Sequence, residues 1–270
     1  MKIPFTKAHG ARNDFLLTWA RQAPLADYSA AAIAICDRHT GIGADGWLIV
    51  GRENGMPWIR LFNSDGSEPE ISGNGTRCAA AFLIEAGVSS DEVSIRTGAG
   101  VKHLRLLERS GREFIFEMNM GRPIVEPGNL HFSLPLAAGP VDATILDVGN
   151  PQCAIFVDDF SLDWRKIGAE VERHPHFPNR TNVSFVAPVN EHSIDVRFFE
   201  RGVGETMSSG TGSTGAAVAA ILRKVVTSPV QVLTPAGPLD LRWDNGEDVF
   251  LVGPAEIVAG GEFYFHEKTG

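Results

Sequence analysis

The 270-residue chain is short of several things that would mark particular functions. It has three cysteines, Cys36, Cys78 and Cys153, with no close spacing between them, so neither a disulfide framework nor a cysteine-type zinc site is expected. It has no run of Lys or Arg, and its 24 basic residues are outnumbered by 33 acidic ones for a net charge of −9. A nucleic-acid partner is therefore not expected, because such binding relies on cationic patches to displace counterions. No apolar stretch is long enough to span a bilayer, and Met1-Lys2-Ile3-Pro4-Phe5 lacks the apolar core of a signal peptide, so no membrane partner and a cytoplasmic location are expected. No lysine follows the glycine-rich turns as in a P-loop, and no G-x-G-x-x-G fingerprint opens a βα unit. What is plentiful is glycine (29) and proline (16), which favours a turn-rich, strand-rich fold over a helical bundle.

The chain also repeats itself. At an offset of 137 residues Asn13 falls on Asn150, Ile59-Arg60-Leu61-Phe62 on Val196-Arg197-Phe198-Phe199, and Glu68 on Glu205. Ser72-Gly73-Asn74-Gly75 meets Ser209-Gly210-Thr211-Gly212, and Thr97, Ala99 and Gly100 meet Thr234, Ala236 and Gly237. One register kept over so many segments implies an internal duplication, with a period too long for a solenoid. The expected architecture is a mixed α/β (α+β) fold of two pseudo-symmetric lobes, each a strand-rich, barrel-like sheet around a central helix. The lobes are expected over 1–122, completed by a last strand at 262–270, and over 123–261, joined near Gly121-Arg122-Pro123. Helices are predicted from about Thr76 to Ala86, ended by Gly87, and, following Ser209-Gly210-Thr211-Gly212, to about Lys224. Shorter ones are predicted around 28–38 and 162–173.

A glycine-rich turn opening a buried helix leaves backbone N–H groups unpaired at the positive end of the helix dipole, which makes an anion cradle. One copy is as well explained by close packing. Two copies at symmetric positions suggest a pair of cradles embracing one small carboxylate-bearing molecule, and a pair of acid/base groups, one per face of a single carbon, suits inversion of a stereocentre.

The stretches His9-Gly10-Ala11-Arg12-Asn13-Asp14-Phe15, Arg38-His39-Thr40-Gly41-Ile42-Gly43-Ala44-Asp45, Phe62-Asn63-Ser64-Asp65-Gly66-Ser67, Gly73-Asn74-Gly75-Thr76-Arg77-Cys78, Gly149-Asn150-Pro151 and Glu200-Arg201-Gly202-Val203-Gly204-Glu205-Thr206 resemble the diaminopimelate epimerase family. The resemblance runs in order through nearly the whole chain. It implies a cofactor-independent isomerase, using no pyridoxal phosphate, metal or nucleotide, that interconverts LL- and meso-diaminopimelate on the route to lysine and peptidoglycan. It implies that Asn63, Asn150, Asn182, Glu200 and Arg201 grip the non-reacting end of the amino acid substrate, and that Asn13, Gly73, Asn74, Gly210 and Thr211 contact the reacting end. The family's two catalytic cysteines fall on Ser72 and Ser209, its histidine after Gly-Asn-Pro on Gln152, a glycine on Arg12 and a glutamine on Gly46. A serine hydroxyl is a poorer base than a thiol, so two alternatives stay open beside diaminopimelate epimerisation. One is isomerisation or dehydration of another small amino acid. The other is an impaired or engineered cysteine-to-serine form that binds without turnover. A homodimer is compatible with the sequence.

The remaining candidates have plainer readings. The three cysteines are expected to be packed core thiols, and His39 to support its loop. His174 and His176 are read as loop histidines rather than metal ligands, and Glu205 as a brace for the second glycine-rich loop.

Overall fold

The computed structural model describes residues 1–244 and 246–265. The chain forms two compact units, Met1–Met118 with Gly253–Gly270, and Asn119–Val252. In chain order the elements are β1 (Lys2–Gly10), β2 (Asn13–Trp19), α1 (Tyr28–Cys36), β3 (Gly46–Glu53), β4 (Met56–Asn63), α2 (Gly73–Glu85), β5 (Glu92–Thr97), β6 (Gly100–Ser110) and β7 (Glu113–Gly121). There follow β8 (Phe132–Leu134), β9 (Val141–Asp147), β10 (Pro151–Phe156), α3 (Trp164–Glu172), β11 (Asn182–Asn190), β12 (Ser193–Glu200), β13 (Gly204–Thr206), α4 (Gly210–Leu222), β14 (Val230–Thr234), β15 (Gly237–Arg242) and β16 (Val249–Tyr264).

In the first unit β1 to β7 lie side by side in chain order. The pairs β2–β3 and β4–β5 are parallel, and each is bridged by a helix, since parallel neighbours need a crossover that a hairpin cannot supply. The far part of β16 pairs antiparallel with β1, from Lys2 opposite Tyr264 to His9 opposite Glu256. Helix α2 packs against β1, β2, β3, β4 and β5, and every residue from Gly73 to Leu83 is buried. Its Ala-rich body suits that setting, because small side chains let strands approach on all sides. On the other face of the sheet Trp47, Ile49 and Phe62 pack with Ala31, Ala32 and Ile35 of α1.

The second unit repeats the plan. Its order is β8-β9-β10-β11-β12-β14-β15-β16, with β13 on β12, and the parallel pairs are β10–β11 across α3 and β12–β14 across α4. Shifted by the sequence offset, β4 coincides with β12 and α2 with α4 residue for residue. Helix α4 is buried from Gly210 to Ala220, and Trp164 and Val171 of α3 pack with Cys153, Ile155, Val183 and Phe185. The final strand begins at Val249, earlier than the 262 expected from sequence, and residues 266–270 of that expected strand lie outside the described residues. Among the described residues no helix is long and apolar enough to cross a membrane.

Candidate active site

Both central helices begin inside their glycine turns, α2 at Gly73, three residues before the Thr76 expected from sequence, and α4 at Gly210. Ser72 has extended backbone (φ −128, ψ 122), and its hydroxyl accepts the Gly75 N–H at 3.1 Å. Ser209 does the same (φ −139, ψ 121), accepting from Gly212 at 3.1 Å. Each serine is thus the N-cap of its helix. Crowding explains the glycines: a Cβ on Gly212 would lie 2.8 Å from Phe198 and 2.9 Å from the Ser209 hydroxyl, and one on Gly75 would lie 3.3 Å from Ser72 Cβ. The N–H groups of Gly73 and Asn74, and of Gly210 and Thr211, precede any intrahelical acceptor and sit at the positive helix end.

An amide braces each cap. In the first unit the Asn74 side chain donates to Asn13 Oδ1 (3.2 Å), and Asn13 Nδ2 donates to Asp45 (2.7 Å). Arg77, fully buried, donates to Asn74 Oδ1 (2.6 Å) and to the Pro254 carbonyl (3.1 Å). A guanidinium can only donate and a carboxylate only accept, so the two ends of this chain fix the orientation of both amides. In the second unit Gln152 donates to Asn150 Oδ1 (2.7 Å), and Asn150 Nδ2 donates to Thr211 Oγ1 (3.3 Å). Burial pushes the Arg77 guanidinium down to about 10. Burial would raise the Asp14 carboxyl, but bonds from Arg38 (2.7 Å) and Lys7 (3.0 Å) prevail and hold it below the usual range.

The second unit also joins residues expected to hold the far end of a substrate. Asn182 Nδ2 donates to the Pro151 carbonyl (3.0 Å), and its Oδ1 accepts the Arg201 N–H (3.1 Å). Glu200 ends β12 opposite Gly204, and Arg201 donates to the Asn179 carbonyl at 3.3 Å. Asn150, Asn182, Glu200, Arg201, Ser209, Gly210 and Thr211 therefore belong to one connected region at the start of α4. In the first unit Asn13, Asn63, Ser72, Gly73 and Asn74 do likewise. Asn63 donates to Ser67 Oγ (2.9 Å), and the next N–H, of Ser64, donates to the Asp45 carbonyl (3.0 Å). A small pocket beside Ser72 is walled by Arg60, Glu68, Glu70, Thr97 and Gly98.

Other expectations fare variously. Cys36, Cys78 and Cys153 are buried, and burial pushes each thiol up to about 12, as packed core residues require. His174 and His176 stand against Phe177, and His176 against Phe132 as well. Glu205 does not brace the glycine-rich loop: it forms a two-point salt bridge to Arg165 of α3 (2.6 and 2.8 Å), while the Ser209 hydroxyl does the capping. Arg12 takes the left-handed conformation (φ 62) in the turn between β1 and β2. Sequence reasoning gave no role to Arg77, which lies fully buried in α2.

The family model described as diaminopimelate epimerase matches residues 5–125 and 144–258. The chain belongs to the diaminopimelate epimerase family. That makes it an isomerase of the epimerase class. It is 38% identical over 274 residues to the diaminopimelate epimerase of Pelotomaculum thermopropionicum, covering 96% of this chain and 98% of that one. To the diaminopimelate epimerase of Halothermothrix orenii it is 36% identical, over 99% of this chain and 100% of the relative. Among solved structures, a hydroxyproline epimerase from Agrobacterium vitis with bound trans-4-hydroxy-L-proline superposes with a TM-score of 0.74 at 13% identity, covering 100% of this chain and 94% of that one. A methylitaconate-delta-isomerase superposes at 0.70 with 15% identity, covering 97% and 95%. At such identities these two structures bear on the fold alone.

Proposed function

We propose that the chain interconverts LL- and meso-diaminopimelate by cofactor-independent, two-sided proton transfer, with Ser72 and Ser209 in the acid/base positions that cysteines hold in the family. The reaction would supply lysine and peptidoglycan precursors in the cytoplasm. The observation that carries this reading is the twin arrangement of the caps: two serine hydroxyls, each at the N-terminus of a buried helix, each with a braced amide beside it. A hydroxyl gives up its proton reluctantly, and backbone N–H groups at a helix start lower that cost by stabilising the developing anion. The free N–H groups of Gly73-Asn74 and Gly210-Thr211 are suited to the substrate α-carboxylate, whose charge grows as the α-proton leaves. Arg201 would pair with the distal carboxylate and Glu200 with the distal ammonium, oriented by Asn63, Asn150 and Asn182.

Incubation with LL-diaminopimelate in deuterium oxide tests the proposal. Solvent deuterium should appear at the α-carbon as meso product forms, faster in the Ser72→Cys/Ser209→Cys variant, because a thiol with pKa about 8.5 ionises more readily. Absence of α-deuterium in both proteins would remove the reading. Tight binding without exchange in the unsubstituted chain would make it a binding protein, and exchange confined to another small amino acid would move it to a sister reaction.

A further inference from the structure

The two halves serve as controls for each other, and they differ sharply beneath the 200–204 loop. Glu172, at the end of α3, is 1% exposed, yet it is a carboxylate. One of its oxygens accepts the Gly202 N–H at 3.0 Å and also meets the Arg180 guanidinium; the other faces Arg173 at 3.3 Å. At the same place the first half has Ile35, 0% exposed and packed in an apolar cluster. Arg180 is left-handed (φ 61) where the first half has Gly43 (φ 80), the residue that accepts this conformation without strain. Both corners close by N–H groups returning to the end of the preceding helix, though through different residues: Ile42 and Gly43 bond the Ile35 carbonyl in the first half, whereas in the second Thr181 bonds that of Glu172, and Arg180 instead bonds that of Phe177. The first half builds its corner from an isoleucine and a glycine. The second half replaces them with a buried charge and a strained arginine, both unfavourable in themselves.

What distinguishes the second half is that side chains hold the segment lying over the pair. The Arg201 N–H is held by Asn182 Oδ1 at 3.1 Å and the next N–H, of Gly202, by Glu172 at 3.0 Å. These two bonds fix the peptide planes on either side of the Arg201 Cα, hence its φ and ψ, hence the direction in which its side chain leaves the backbone. Arg180 neutralises the carboxylate that does this. We propose that Glu172 and Arg180 are positioning residues for Arg201, setting its guanidinium to meet a second carboxylate on the substrate and so setting the preference for a dicarboxylic amino acid. This rests on the diaminopimelate reading of the site.

The test exchanges the pair for the residues of the first half, Glu172→Ile with Arg180→Gly. Binding of meso-diaminopimelate and of lysine, the same skeleton without the second carboxylate, is measured by calorimetry. Hydrogen exchange of the 201 and 202 amides is followed alongside. The variant should fold, its 201 and 202 amides should exchange faster, and its Kd for diaminopimelate should rise roughly tenfold or more while that for lysine stays as it was. Unchanged diaminopimelate binding, or an equal loss for both ligands, would overturn the inference. Should the double variant not fold, Glu172→Gln decides on the same two ligands. If the unsubstituted chain binds no diaminopimelate, it is the proposed function that falls, and the two amides still report whether Glu172 and Arg180 order the loop.

Discussion

Ser72 and Ser209 combine two duties that substitution can separate. An alanine at either cap removes the acceptor for the N–H of the third helical residue, Gly75 or Gly212, and should cost about 1 kcal/mol of stability, whereas glycine should cost only a few tenths. Both replacements should abolish proton transfer on the proposed reading. Urea unfolding together with the deuterium assay would reveal the pattern, and retained exchange in the glycine variants would remove the hydroxyls from the chemistry. The serines could be singled out from sequence because the repeat places them at matching positions. Arg77 and Glu172 could not, since a charged side chain reads as solvent-facing until its partners, Asn74 and Pro254 in one case and Gly202 and Arg180 in the other, are seen. The thiols give a second prediction at this scale. With burial holding Cys36, Cys78 and Cys153 at about 12, the native protein should resist thiol reagents at pH 8 and react only as it unfolds. The unfolded chain releases these protons near its ordinary pKa of about 8.5, so stability should be intact below that pH and fall as pH climbs towards 12. Denaturant titrations across this range measure it.

Among the elements, α2 and α4 were recognisable from their small, apolar bodies, and α1 and α3 close to where they were expected. The starts of the central helices were less legible, because Gly73 and Gly75 are poor helix formers in isolation, and Gly75 is there for close approach rather than propensity. The two glycine turns are not equally tolerant. Gly212→Ala should displace Phe198 or the Ser209 side chain and reduce both stability and turnover more than Gly75→Ala, whose nearest neighbours stand at 3.3 Å or beyond. Comparable melting temperatures and rates for the two variants would contradict this. The helix ends offer a gain. Gly87 is left-handed (φ 67) after α2, and after α4 the equivalent position is Lys224 (φ 58). Lys224→Gly should relieve that strain and raise stability by up to about 1 kcal/mol, readable from the unfolding midpoint.

For the molecule as a whole, duplication was the legible feature, and the point where the last strand begins was not. The strand continues through Gly260-Gly261 by pairing with Thr6 and Phe5 of β1, and a side chain on Gly261 would lie 3.1 Å from the Phe5 ring. β16 supplies the partner of β1 along nearly its whole length. A chain cut after Val252 should therefore lose amide protection in β1 and β2, while the cluster of Trp164, Val171, Val183 and Phe185 keeps its own. Hydrogen exchange resolved by segment would measure this, and persistent protection of β1 would refute it.

The sealed sulfurs have one more consequence. Peroxide attacks exposed thiolates first, converting them to sulfenic and higher acids. Here all three cysteines lie in the interior, and oxygen rather than sulfur stands at both helix caps. A chain arranged this way offers oxidants no thiol at its caps, so no loss of activity in peroxide-laden solution should arise from sulfenic acid formed there.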